Sequence, residues 1–307
     1  MLKKILSFDG GGVRGVISVV FLQKLEQDTG LSLGKQADLL TGTSTGSIIA
    51  GALAVGMTAE EILNFYVHKS SAIFQEGKGY VDKFLDLEAR FSSQNLFEAL
   101  QSAFSVKGVD PDILLGEIKK KIVIPTVNLD NAVTHRWRTE IMTNETKVSL
   151  IDAMMRSSAA PTYFSSYQDC VDGGMAANDP AVLAYATLED REAVSLLSFG
   201  TGYTEHNVPK GEHWGALSWI IDLDPKNPVT KTPLLSMLFD VQDQLPGQIC
   251  QLLLRQNYLR INLRLSEAIA LDDASKIPQL IEEVEAFIEK NPSEWKSTCK
   301  WVESCFS

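Results

Sequence analysis

Short apolar runs alternate with longer amphipathic stretches through residues 5–202 of the chain. Ile5-Leu6-Ser7-Phe8 is brief and apolar, the pattern of a buried parallel strand. Residues 16–25 follow with apolar side chains at helical spacing. Leu39-Leu40 closes a second strand-like run, and two helices are expected over 45–55 and 59–70. Thr58 and Glu61 form a capping-box signal for the second of these. A helix is expected over 110–121, strands over 122–127 and 134–139, and a helix from Val148 toward Pro161. Residues 167–171 read as a short strand, 178–187 as a helix opened by Pro180, and 194–199 as a strand. Beyond Glu212 helical patterns dominate, broken by one alternating strand over 258–263. This order predicts an α/β layered fold with a helical C-terminal part, all in one domain over 1–307.

Glycine turns punctuate the ends of three of these strands. Gly42-Thr43-Ser44-Thr45-Gly46 joins the second strand directly to a helix. Such a turn forces its central residue into a strained backbone, usually at φ > 0, and lifts the hydroxyl clear of the sheet. Gly42 and Gly46 let strand and helix approach closely. Ser44 is therefore a candidate nucleophile. Asp9-Gly10-Gly11-Gly12-Val13-Arg14-Gly15 lies between the first strand and its helix. Successive N–H groups at a helix start bind an anion, whether a pyrophosphate or a developing oxyanion. Asp172-Gly173-Gly174 holds a carboxylate on a third turn. Sites in open α/β sheets form beyond the carboxyl ends of the strands, so all three turns can meet. Ser44, the Gly11 and Gly12 amides and Asp172 make an inventory for acyl transfer without histidine.

Composition narrows the partners. The net charge is −11 and the pI about 4.9, which argues against nucleic acid and against electrostatic docking on anionic lipid. Membrane contact would have to be apolar. Residues 65–104 hold a dense set of phenylalanines, including Phe84 and Phe91, and form a candidate apolar lid or substrate channel. Cys170, Cys250, Cys299 and Cys305 lack metal-ligand spacing and read as reduced thiols. The opening apolar run is interrupted by Asp9, so it fails as a signal peptide. The longest apolar run falls far short of the ~18 residues of a membrane span. The expected location is the cytoplasm, with no metal and no cofactor.

The ordered motifs resemble the patatin-like phospholipase family. Gly10 to Gly15, Gly42 to Gly46, Ser158-Ala159-Ala160-Pro161-Thr162-Tyr163-Phe164 and Asp172-Gly173-Gly174 carry the resemblance, with Asn178 and Gly200-Thr201-Gly202 adding to it. It covers residues 5–202 and is weak over 203–307. It implies a three-layer α/β/α sheet and a calcium-independent lipid acyl hydrolase with a Ser44–Asp172 dyad. It also implies an oxyanion loop of Gly10, Gly11 and Gly12 beside Arg14, a phospholipid or lysolipid ester substrate, and turn support from Gly42, Gly46, Gly173 and Gly174. Two other readings compete. A Ser–Asp–His triad could recruit His206 or His213. A dinucleotide site could use residues 10–15, but Asp38 begins the second strand and sits at the wrong end for it. Asp222-Leu223-Asp224-Pro225-Lys226-Asn227 fails as a calcium loop.

Overall fold

The computed structural model describes residues 2–75, 89–130, 132, 135–204 and 233–307. Its strands are β1 Lys3–Phe8, β2 Leu39–Gly42, β3 Lys121–Asn128, β4 Arg138–Thr143, β5 Cys170–Val171, β6 Val194–Phe199 and β7 Tyr258–Ile261. They form one mixed sheet in the order β4-β3-β2-β1-β6-β7, with β5 added antiparallel to β3. β3, β2, β1, β6 and β7 run parallel to their neighbours in that order. Phe8 sits level with Gly42 on one side and with Phe199 on the other. The chain therefore leaves β1, β2 and β6 at one common edge, where the glycine turns begin.

The helices are α1 Gly15–Thr29, α2 Leu33–Gln36, α3 Thr45–Ala54, α4 Ala59–Ile73, α5 Ser93–Lys107 and α6 Leu150–Ser157. Then come α7 Gly174–Ala177, α8 Ala181–Ala186, α9 Pro233–Leu254, α10 Ile277–Lys290 and α11 Pro292–Phe306. Strand periodicity divides them into two layers. Successive side chains point to opposite faces of a strand. Leu6, Phe8, Leu40, Ile122, Ile124, Leu197 and Phe199 enter one core, shared with α1, α3, α4, α5, α6, α10 and α11. Ile5, Leu39, Val123, Leu196 and Tyr258 enter another, shared with α8 and the end of α9. The result is the expected α/β/α arrangement. The C-terminal residues belong to both cores: β7 extends the sheet beside β6, and α10 and α11 pack on α1.

Three expected elements differ. Residues 110–121 form only a 3-10 turn, Leu115–Glu117. Their backbone groups are claimed from outside: the Asn144 side chain donates to the carbonyls of Leu115, Ile118 and Lys120 at 2.9, 3.1 and 3.0 Å. Leu115 N–H donates to Val148 and Leu150 N–H to Ile113. The strand expected over 134–139 begins at Arg138 and runs on to Thr143, where β3 supplies its ladder. The strand expected over 167–171 is reduced to Cys170–Val171. Tyr167 and Cys170 exchange both backbone hydrogen bonds across Gln168 and Asp169, which sit at φ 49° and 59°. That is a tight hairpin turn rather than a longer strand.

Candidate active site

The turn between β2 and α3 has the strained geometry its sequence demands. Ser44 adopts φ 52° and ψ −124° in a run of otherwise buried residues. A non-glycine residue at positive φ is uncommon and marks a constraint imposed from outside. Here the constraint is packing. A Cβ at Gly42 would lie 1.9 Å from the carbonyl oxygen of Gly46, and one at Gly46 would lie 2.1 Å from that of Phe8. Ser47 Oγ donates to the Ser44 carbonyl at 2.6 Å, and the Ser44 N–H donates to Ser157 Oγ at 3.0 Å. Thr45 Oγ1 lies in short contact with Tyr66 Oη of α4. The hydroxyl of Ser44 is left half-buried, facing a cavity.

Asp172 meets it there. Antiparallel pairing of Val171 with Val127 brings β5 to the same end of the sheet. Asp172 N–H donates to the Ala159 carbonyl and Gly173 N–H to the Ser157 carbonyl, each at 3.0 Å. A Cβ at Gly173 would lie 2.2 Å from the Pro125 carbonyl oxygen. Gly174 N–H donates to Asp172 Oδ1 at 2.7 Å, and the Ser44 side chain lines the same cavity as this carboxylate. Burial raises the Asp172 pKa to about 6, against the opposing pull of the Gly174 amide and the nearby Ser44 hydroxyl. No cation is among the causes.

The glycine loop forms the facing wall. Gly12 adopts φ 57°, and a Cβ there would lie 2.1 Å from the Leu271 carbonyl oxygen. Val13 N–H donates to that carbonyl at 2.8 Å. Gly10 N–H is also engaged, with the Asn178 carbonyl at 3.1 Å. Among the described residues the N–H groups of Gly11 and Gly12 meet no protein acceptor. One cavity is lined by Gly10, Gly11, Gly12, Arg14, Ser44, Asp172 and Asn178. Its apolar wall comes from Ile48, Phe65, Ile73, Phe74, Leu96, Tyr163 and Phe164. The phenylalanine-rich segment thus splits. Phe65 and Phe74 face the cavity, while Phe91 and Phe104 are buried in the core, Phe91 stacked on Tyr163, edge-on to Phe74 and tilted against Phe164. Phe84, His206, His213 and the sequence 222–227 lie outside the described residues. His68 and His135 are exposed and do not line the cavity. Asp38 is at the opposite end of β2, where its carboxylate accepts the Lys4 N–H at 2.8 Å.

Several residues that shape the site carried no motif. Ser157 links both sides: its Oγ accepts from Ser44 N–H and donates to the Pro125 carbonyl at 2.7 Å, while its own carbonyl holds Gly173. Asp243 of α9 lines the cavity next to Asn178. Below the glycine loop, Arg260 of β7 binds Asp9 at 2.5 Å and Asp179 at 3.2 Å and donates to Ser198 Oγ at 2.8 Å. Burial pushes both carboxyls up and the guanidinium pulls both back. The sequence hint was one arginine inside an alternating strand, with nothing to name its partners.

A "cGAMP-activated phospholipase" of Vibrio cholerae is 32% identical over 200 residues, covering 59% of this chain and 56% of that one. The chain thus spans little more than half the length of that relative. "Protein teg" of Priestia megaterium is 26% identical over 308 residues, covering 91% and 92% of the two chains. "Patatin-like protein 2" of Oryza sativa subsp. indica is 27% identical over 348 residues, covering 94% and 84%. Among solved structures, VipD from Legionella pneumophila aligns with a TM-score of 0.41 at 14% identity, over 92% of this chain and 67% of that one. The model of the patatin-like phospholipase family matches residues 6–185, more than half of the sequence, and the chain belongs to that family.

Proposed function

We propose that this chain hydrolyses fatty-acyl esters of phospholipids or lysophospholipids through Ser44 and Asp172. The observation that carries the reading is that Ser44, on a strained turn, and the buried carboxyl of Asp172 line one largely apolar cavity. Asp172 takes the Ser44 proton as the hydroxyl oxygen attacks the ester carbonyl. A carboxylate with a pKa of about 6 is a far better base than one at its ordinary value of 3.8. The negative charge that develops on the carbonyl oxygen is received by the N–H groups of Gly11 and Gly12. Gly10 acts in this loop through its fixed backbone, because its N–H is already engaged. Arg14 adds positive charge beside the same cavity.

The protonated Asp172 then gives its proton to the leaving alcohol oxygen. Water repeats the sequence on the acyl-serine, releasing the fatty acid and restoring Ser44. The acyl chain occupies the wall formed by Ile48, Phe65, Ile73, Phe74, Leu96 and Phe164. On this reading residues 1–307 act as one acyl hydrolase domain, since β7 completes the sheet that carries the site. Among the described residues no helix is long and apolar enough to cross a membrane. Contact with a lipid surface is then transient and apolar, through Leu234, Met237, Val241 and Leu245, which are exposed along the helix that also carries Asp243.

The test uses the purified chain, mixed phospholipid and lysophospholipid vesicles, and a fluorophosphonate probe. Fatty acid should be released, and mass spectrometry should find the phosphonate on Ser44. Ser44→Ala should lose both, with turnover down by at least on the order of 10³-fold and circular dichroism unchanged. Turnover that survives in Ser44→Ala, or a label on another residue, overturns the assignment.

A further inference from the structure

The N–H groups of Gly11 and Gly12 act by position, so whatever fixes their loop takes part in the chemistry. Gly10 is the loop's anchor. Its N–H donates to the Asn178 carbonyl at 3.1 Å, and its own carbonyl accepts from Thr201 Oγ1 at 2.8 Å and from Asn178 Nδ2 at 3.5 Å. Gly10 packs so closely on Asn178 that a Cβ would lie 2.2 Å from Oδ1. A shift of Asn178 is therefore a shift of Gly10, and the next two peptides follow.

Asn178 is held in turn by α9. Gln242 Oε1 accepts the Asn178 backbone N–H at 3.3 Å, and Gln242 Nε2 reaches the Met175 carbonyl at 3.4 Å. Asp243 Oδ1 accepts from Asn178 Nδ2 in a short contact. A carboxylate only accepts hydrogen bonds, which fixes the Asn178 amide with its nitrogen toward α9. A bond to an ionised acceptor is about twice as strong as one between neutral groups. Two neighbouring side chains thus grip one residue from two directions.

We propose that Gln242 and Asp243 are positioning residues that set the oxyanion loop through Asn178, so that the site is complete only with α9 docked against it. The proposal rests on the reading of Gly11 and Gly12 as oxyanion donors. It assigns the C-terminal part, which carries none of the family's motifs, a place in the reaction. Displacing a catalytic donor by about 1 Å costs on the order of 10²-fold, and the effect falls on the transition state rather than on binding.

The experiment measures kcat and KM on a p-nitrophenyl butyrate series, together with the rate of phosphonate labelling, in the full chain. Asp243→Ala should lower kcat and the labelling rate by about ten- to a hundredfold while KM moves by less than about twofold. Asp243→Asn keeps a carbonyl acceptor for Asn178 and should recover most of the loss. Asn178→Asp sets two carboxyls against each other and should be impaired. Combining it with Asp243→Asn is an exchange that restores the bond between the two side chains, though not the Asn178 bond to the Gly10 carbonyl. It should recover part of the activity lost in Asn178→Asp, which a role confined to packing does not predict. The exchange carries the test even where Asp243→Ala fails to fold. Wild-type kcat in Asp243→Ala, equal damage in Asp243→Asn, or no rescue by the exchange overturns the proposal. Absence of phosphonate on wild-type Ser44 instead removes the underlying reading, and the proposal with it.

Discussion

Asp172 and Asp179 are both buried, 4% and 1% exposed, and both stand at the same end of the sheet. They differ in what faces them. Asp179 shares Arg260 with Asp9 and also accepts the Ala181 N–H at 2.9 Å. Among the described residues Asp172 has one amide donor, from Gly174, and no cation. Taking a carboxylate out of water costs several kcal/mol unless a cation or several donors compensate. Arg260 offsets part of the burial of Asp9 and Asp179, which are still held above their ordinary value, and ties β6 and β7 to the two loops that carry these acids. Asp172 has no such cation, and its pKa of about 6 reflects burial opposed only by neutral donors. On the proposed function Asp172 must hold a proton for part of each turnover, and the absence of a cation beside it serves that role.

Removing the Asp172 charge breaks the comparison most directly. Asp172→Asn keeps an acceptor for the Gly174 N–H but cannot take a proton, so turnover should fall by on the order of 10³-fold or more. Wild-type kcat/KM should also fall with pH below about 6, where burial places both Asp172 and Asp243, and in Asp243→Asn the fall owed to Asp172 should be about tenfold per pH unit. In a dyad the double change His206→Ala with His213→Ala leaves both results standing. Stability should move the other way. Below 3.8 both the folded and the unfolded chain hold the proton, and wild type and variant match. As pH rises from 3.8 to about 6 the unfolded chain releases its proton and the folded chain does not, so the wild type loses stability. Above about 6 the variant should be the more stable by at most about 3 kcal/mol. Urea unfolding at pH 8 and pH 4 measures the difference. An Asp172→Asn chain less stable than wild type at pH 8 would mean that the carboxylate is fully compensated after all.

Arg260→Met tests the other side. The side chain is similar in length, but Asp9 and Asp179 are left buried with no guanidinium between them. Breaking a buried pair from one side costs about 3–5 kcal/mol. The loss should be greatest at neutral pH and shrink as the solution is acidified and the two carboxyls protonate. A variant of wild-type stability in urea at pH 7 would show that Arg260 is dispensable and that the two acid clusters do not differ in kind.

The sequence made the turns after β1, β2 and β5 legible because each rests on local rules. Glycine is required where backbone meets backbone, as at Gly42 and Gly46, and apolar runs of strand length alternate with helical periods. Ser44 and Asp172 could be named for that reason. What faces them could not. Arg260, Asp243 and Ser157 act through partners 251, 65 and 113 residues away along the chain. Single polar residues at such separations leave no periodicity. The failed helix over 110–121 has the same cause: its carbonyls answer to Asn144, a long-range partner that no local propensity foresees. Phe91 and Phe74 carry equal weight in composition, yet only Phe74 reaches the cavity.

That last pair supplies the smallest of the expected effects and sharpens the account of Asp172. The pKa of Asp172 is raised by desolvation, and the apolar wall on which Phe74 stands keeps water out of the cavity it faces. Phe74→Ala widens that wall without touching the dyad. Two consequences follow from the one change. The acyl chain loses part of its apolar contact, and each methylene left in water costs ~0.8 kcal/mol, so the preference for decanoyl over butyryl p-nitrophenyl esters should fall by about fourfold. Water admitted to the cavity also relieves the desolvation of Asp172. The acid limb should then move down from about 6 toward its ordinary value, by less than about one unit. Both shifts should appear together in Phe74→Ala. Loss of chain-length preference with an unmoved acid limb would mean that the desolvation of Asp172 comes from the packed residues behind it, Ala159 and Ser157, and not from the wall in front.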